Sequence, residues 1–266
     1  MTEQAARFVG SIPDQYDRNL GPVIFAEFAT DLARRIAELG AASVLELAAG
    51  TGIVTRCLRD ALPAASTLLA TDLNPPMLAV AQKKFRDDEK VSFQPADATD
   101  LPFDDSCFEA VACQFGVMFF PDKERSYREV RRVLQPGGHY CFSVWDCWEH
   151  NRFAQLAHET VAGFFADNPP GFYKVPFGYA DPAPISEALV ASGFSSVKAE
   201  VVDVVSRISS IQNFATGLVF GNPLQEEILA RDGNPREICD ALAAALQESL
   251  GSSIALRATV FTAKKD

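Results

Sequence analysis

The residues able to do chemistry fall at the ends of apolar runs, and none of them is an obvious nucleophile. The first run ends in Ala48-Ala49-Gly50-Thr51-Gly52. Such small residues let a ligand approach the main chain, and the helix that follows offers N–H groups to a carboxylate or phosphate. The second run ends in Thr71-Asp72, twenty residues beyond Gly52. An acid there is placed to accept both hydrogen bonds of a ribose diol. Asn74, before Pro75, is expected to cap the next helix and so leave Asp72 free for that role. After the third run comes Ala96-Asp97-Ala98. A short acid among small residues suits the exocyclic amine of adenine, and a surface turn reads nearly as well. The fourth ends in Gln114-Phe115-Gly116-Val117-Met118-Phe119-Phe120, too apolar for an exposed loop and better suited to a pocket wall. Together, four consecutive run ends carry adenosine-compatible chemistry.

The chain lacks what other adenosine ligands demand. A dinucleotide fingerprint needs a third glycine, yet counting from Gly50 that position holds Thr55, and counting from Ala48 it holds Ile53. A P-loop is excluded because no GK[ST] follows the turn. Six cysteines (Cys57, Cys107, Cys113, Cys141, Cys147 and Cys239) form no CxxC pair and have no His at zinc-finger spacing, so they read as reduced thiols and no metal is expected. Of three histidines, His139 opens a strand at the end away from the site, His150 lies just past the other end of that strand, and His158 falls on the next helix. None of them is assigned to catalysis.

The elements that must position these residues alternate. Strands are expected over 42–47, 66–72, 91–95, 107–115 and 139–145, and helices over 25–39, 55–62, 75–88 and 123–134, the last stopped by Pro136, Gly137 and Gly138. Regular alternation implies an α/β fold, a doubly wound, mostly parallel sheet covered by helices on both faces. Residues 147–184 crowd prolines, glycines and aromatics, and there irregular, lid-like structure is expected. A helix near 184–193 precedes two late β-branched runs, 195–208 and 252–265, which flank a helical stretch. The expected organisation is an N-terminal segment and helix over the cofactor site (1–40), a core (41–146), a lid-like segment (147–194), final strands (195–208 and 252–266) and a helical cap (209–251).

Composition limits the partners. Lys and Arg total 24 against 35 Asp and Glu, a formal charge of −11, which argues against a nucleic acid or an anionic membrane. No apolar stretch approaches the roughly 18 residues of a membrane span, and no leader pattern opens the sequence. A folded cytoplasmic protein, monomer or homodimer, is the expectation.

The segments ELAAGTG (46–52), ATDLNPPML (70–78), ADATDLPF (96–103), ACQFGVMFFPD (112–122) and REVRRVLQPGGHY (128–140) resemble, in order and spacing, the class I S-adenosylmethionine-dependent methyltransferases. The likeness is to the ubiquinone/menaquinone-biosynthesis type and covers roughly residues 15–146. It implies a Rossmann-like sheet of seven strands with the last antiparallel, S-adenosylmethionine as cofactor and S-adenosylhomocysteine as product. By position, the resemblance puts Ala48, Gly50 and Gly52 around the methionine moiety with Glu46 as an anchor. It puts Asp72 on the ribose, Leu73 and Met77 beside the adenine, and Asp97 with Ala98 at the adenine edge. Gln114 would reach the methionine part, and Tyr16 would close over the cofactor. The family usually has Gly where this chain has Ala48.

A sulfonium methyl needs little acid–base help, which accounts for the missing catalytic residues. Phe119, Phe120, Trp145, Trp148, Phe172, Tyr173, Tyr179 and Phe220 are expected to make a greasy acceptor pocket, so the expected function is methyl transfer to a small apolar or aromatic molecule. The alternative is a catalytically inactive S-adenosylmethionine-binding protein with a regulatory or protein-contact role.

Overall fold

A computed structural model describes residues 5–266; residues 1–4, the start of the expected N-terminal covering segment, lie outside the described residues. Seven strands make one sheet: β1 (Ser43–Glu46), β2 (Thr67–Asp72), β3 (Val91–Pro95), β4 (Phe108–Gln114), β5 (Leu134–Trp145), β6 (Ser195–Arg207) and β7 (Ser253–Lys264). Their order is β3-β2-β1-β4-β5-β7-β6. The β7 strand pairs antiparallel with both β5 and β6, and the other pairings are parallel. Strand order reverses between β1 and β4, and a crevice opens beyond the strand ends at such a reversal.

The parallel strands are apolar because both faces are covered. Val44, Leu45, Val111 and Ala112 have almost no exposure. The helices Ala26–Glu38 and Ile53–Ala61 cover one face, where Leu32, Ile36, Val54 and Leu58 meet Val44, Leu68 and Ala110. Tyr127, Val130 and Val133 of the helix Lys123–Val133 belong to the larger core on the other face, with Phe142 and Phe261.

Local chemistry moved several expected boundaries. The helix expected over 75–88 ends at Gln82. The helix from Lys123 stops at Val133, and β5 starts at once with Leu134, so Pro136, Gly137 and Gly138 belong to the strand and its irregular register rather than to a helix stop. A Cβ on Gly138 would lie 2.9 Å from the Gln135 carbonyl and 3.0 Å from that of Glu109. Residues 147–184 hold a regular helix, Arg152–Ala162, where irregular structure was expected; Phe153, Ala154, Leu156, Ala157 and Val161 make its buried face.

The segment before Ala26 was not foreseen as helical. Tyr16–Phe25 winds as a wide π-helix containing Pro22, and the Ala26 N–H donates to the Gly21 carbonyl. A wide turn relieves the clash that a proline ring makes with the carbonyl four residues back. The helix Ile211–Phe220 crosses this segment closely, because a Cβ on Gly217 would meet Leu20 Cδ2 at 2.8 Å. Among the described residues, no helix is long and apolar enough to cross a membrane.

Candidate active site

The crevice beyond β1, β2, β3 and β4 is a cavity of about 370 Å³. Tyr16, Ala48, Gly50, Asp72, Leu73, Met77, Asp97, Ala98 and Gln114 all line it. Glu46 and Gly52 do not. Glu46 lies beneath the turn, 1% exposed, with Oε2 lacking a hydrogen-bond partner among the described residues, and burial pushes its carboxyl up to about 8. Gly52 begins the next helix with φ +80°, and a Cβ there would strike Ala81 Cβ at 2.8 Å. Its bareness serves the packing of that helix start against the helix Pro75–Gln82.

The turn after β1 uses left-handed backbone at alternate residues: Ala48 (φ 50°), Gly50 (57°) and Gly52 (80°). Glycine takes this conformation freely, whereas a left-handed alanine costs about 1 kcal/mol or more. The space for its methyl comes from Gly116, where a Cβ would lie 2.4 Å from Ala48 Cβ. Both residues border the cavity.

Asp72 is not the free acid expected. It is 7% exposed; Oδ2 accepts the Gly50 N–H at 2.9 Å, and Oδ1 accepts the Asn74 backbone N–H at 2.8 Å and its side-chain amide at 3.2 Å. Burial raises its pKa, and these donors oppose the rise. Asn74 stands at the helix start but makes no side-chain cap. Its amide ties down the N-terminal segment instead, donating to the Ala6 carbonyl at 3.0 Å and accepting the Phe8 N–H at 3.2 Å. A carboxylate has about four acceptor positions, so Asp72 keeps capacity for a ligand.

Asp97 Oδ1 accepts both the N–H and the hydroxyl of Thr99 at 2.8 Å, which fixes the acid at the cavity edge. Gln114 Nε2 donates to the Phe25 carbonyl at 3.2 Å, while its Oε1 is buried with no partner among the described residues. An unpaired buried acceptor on the wall of this cavity fits a ligand bearing a donor, such as an ammonium.

A second, aromatic chamber of about 70 Å³ adjoins the first. Phe8, Tyr16, Phe115 and Phe119 line both. Phe115 holds a left-handed φ of 53°, an uncommon conformation for a bulky residue, and stacks on Trp145 with ring centroids 3.9 Å apart and planes 4° off parallel. Burial pushes the Tyr16 hydroxyl up, so it is neutral at ordinary pH. Tyr173 donates to the Leu218 carbonyl at 2.8 Å, as does the Asn222 amide at 2.9 Å, so these two polar groups are turned to the backbone.

Of the aromatics expected at the acceptor pocket, Phe119, Trp145, Phe172 and Tyr173 line the second chamber, and Phe120 lines the first. Trp148, Tyr179 and Phe220 line neither. Trp148 packs on His158, and the Tyr179 hydroxyl meets that of Tyr127 at 2.9 Å. Phe8, Phe25, Phe153 and Phe177 were missed, since they come from four separated segments. No histidine borders either chamber.

Residues 45–142 match a methyltransferase domain model. The chain is similar to a demethylmenaquinone methyltransferase of Clavibacter sepedonicus, 38% identical over 105 residues, which is 40% of this chain and 42% of that protein. It therefore spans about two fifths of that relative's length. Among solved structures it resembles the YcgJ protein of Bacillus subtilis (TM-score 0.59, 18% identity, 90% of this chain and 98% of that one). It also resembles a Haemonchus contortus phosphoethanolamine N-methyltransferase in complex with phosphomonomethylethanolamine and S-adenosylhomocysteine (TM-score 0.60, 14% identity, 97% of this chain and 61% of that one). At these identities the structures speak for the fold alone. Residues 45–142 thus form a methyltransferase domain, set on a sheet whose strand-end crevice carries the motif residues, and in this stretch the chain is similar to the class I S-adenosylmethionine-dependent methyltransferases.

Proposed function

We propose that the chain transfers a methyl group from S-adenosylmethionine to a small apolar or aromatic acceptor. The observation that carries this reading is the shared wall: Phe8, Tyr16, Phe115 and Phe119 border both the polar cavity and the aromatic chamber, so a donor and an acceptor would meet there. S-adenosylmethionine supplies an electrophilic methyl on a sulfonium that departs as a neutral thioether, so alignment and exclusion of water count for more than proton transfer.

The chain's residues divide the work. Asp72 holds the ribose diol, Leu73 and Met77 flank the adenine, and Asp97 with Ala98 takes its edge. Ala48 and Gly50 let the methionine moiety lie close, and Gln114 Oε1 accepts from its ammonium. Glu46 and Gly52 act from beneath by shaping the turn. Tyr16 and the rest of the N-terminal segment cover the donor, while the segments 147–194 and 209–251 roof the acceptor. With no histidine at the chambers and a neutral Tyr16, the favoured acceptor is one that needs no base from the protein.

The name of the Clavibacter relative makes a menaquinone-type ring the first acceptor to assay. The test is calorimetric titration with S-adenosylhomocysteine, followed by labelled methyl transfer to a panel of aromatic and quinol acceptors. Micromolar binding and label on an apolar acceptor are expected. Absence of binding overturns the reading, and tight binding without transfer to any acceptor favours the inactive binding protein instead.

A further inference from the structure

Asp146, Cys147 and His150 lie just past the carboxyl end of β5, next to the chamber wall residue Trp145. One oxygen, one sulfur and one nitrogen from these residues all fall within 4.8 Å of one another. Among the described residues, no other group of three such donors comes together. His150 Nδ1 is 3.0 Å from Asp146 Oδ2 and 3.4 Å from Cys147 Sγ.

At His150 Nδ1 the two neighbours compete. Nδ1 carries either a proton, which it can donate to Asp146, or a lone pair, which can accept from the Cys147 thiol, and it cannot do both. A cation at the centre satisfies all three atoms at once. Ligand atoms about 2.0–2.3 Å from a tetrahedral zinc ion are separated by roughly 3.3–3.6 Å, close to the two spacings of 3.0 and 3.4 Å from His150 Nδ1.

The backbone is already fixed around these donors. Asn151, fully buried, donates to the carbonyls of Asp146 (3.0 Å), Cys147 (3.3 Å) and Arg257 (2.9 Å) and accepts the Arg257 N–H at 3.0 Å. Asp146 Oδ1 accepts the Cys147 N–H at 2.6 Å, which leaves Oδ2 for the site. The His150 side chain is 45% exposed, so the fourth position faces solvent.

We propose that Asp146, Cys147 and His150 form a three-ligand site for a divalent cation of the zinc class, with an open fourth position. Mixed sulfur, nitrogen and oxygen donors in a compact set favour zinc over magnesium or calcium. Binding forms the metal–sulfur bond as the Cys147 thiol loses its proton to solvent, so one proton is released for each ion bound and affinity rises with pH.

The test uses the full chain freed of metal by chelator and titrated with cobalt(II). A thiolate-to-cobalt charge-transfer band saturating at one equivalent, and displaced by zinc, is expected. Cys147→Ser should abolish the band, while Cys107→Ser, at another partly exposed cysteine, should keep it. His150→Ala and Asp146→Asn should each weaken zinc binding roughly 10- to 100-fold. Calorimetry in two buffers of different ionisation heat should report the proton released. Saturation only at millimolar metal, or a band that survives in Cys147→Ser, overturns the proposal. Each readout is independent of methyl transfer.

Discussion

The polar cavity and the aromatic chamber are built differently. The cavity draws its polar groups from the ends of β1, β2 and β4 and from the turn after β3, and hydrogen bonds fix them, Asp97 by Thr99, Asp72 by Gly50 and Asn74, and Gln114 by the Phe25 carbonyl. The chamber draws its wall from residues 8–25, 115–119, 145–177 and 218–222, held together by packing alone or nearly so. A ligand recognised through hydrogen bonds needs donors and acceptors at fixed places, which strand ends provide. An apolar ligand needs only volume and dryness, which any part of the chain can supply.

If that contrast holds, damage on the two sides should differ in kind. The largest effect is expected for Asp72→Ala. It removes the acceptor proposed for the ribose and strands the Gly50 and Asn74 N–H groups, so S-adenosylhomocysteine should bind about 100-fold or more weakly, with a stability loss of about 2 kcal/mol. Calorimetry and urea denaturation measure the two losses. Wild-type stability in this variant would show that Asp72 serves the ligand alone.

Phe177→Ala, on the chamber side, should cost about 3 kcal/mol of stability by leaving a cavity, and leave S-adenosylhomocysteine affinity within about twofold of wild type. Phe177 stacks on Trp145, with ring centroids 5.8 Å apart, and borders only the chamber. A tenfold loss of donor affinity would mean that the two compartments are one mechanical unit.

Glu46 offers a subtler break. Its folded pKa of about 8 lies above the ordinary value of 4.5, so its stabilising contribution is complete below about pH 4.5 and is lost as pH rises towards 8. Over that window the slope should approach about 1.4 kcal/mol per pH unit at most. Glu46→Gln should flatten it, which denaturation midpoints at pH 5, 6.5 and 8 would reveal. Parallel curves for the two proteins would place the proton elsewhere.

The smallest effect belongs to Ala48→Gly, which relieves the left-handed alanine and should add about 1 kcal/mol. Gly116→Ala should destabilise the chain, because its new methyl would lie 2.4 Å from that of Ala48 and 2.8 Å from Cys113 Sγ, and the double variant should recover the part due to Ala48. Additive behaviour in thermal denaturation would show that the two positions are independent.

How much was legible follows the same division. Strands β1, β2, β3 and β4 lie within one residue of their expected limits, because buried parallel strands are short apolar runs closed by small or polar residues. Nine of the eleven residues named from the motifs border the cavity, since the strand ends that bear them follow from local sequence. Glu46 and Gly52 fell outside because strand alternation and helix packing, invisible in a motif, turn them beneath the turn. The engagement of Asp72 was also hidden: whether Asn74 caps its helix or holds Phe8 depends on where a segment 66 residues away comes to rest.

By itself the sequence determined the α/β alternation, the bare turn after β1 and the acids that follow β2 and β3, since periodicity and turn chemistry act over a few residues. Only the tertiary structure decided which aromatics form the chamber, how Gly116 makes room for the methyl of Ala48, and that Asp146, Cys147 and His150 converge. The first two depend on contacts between residues far apart in the chain. The third depends on Asn151 and Arg257, which fold a short turn so that three neighbouring side chains face one point.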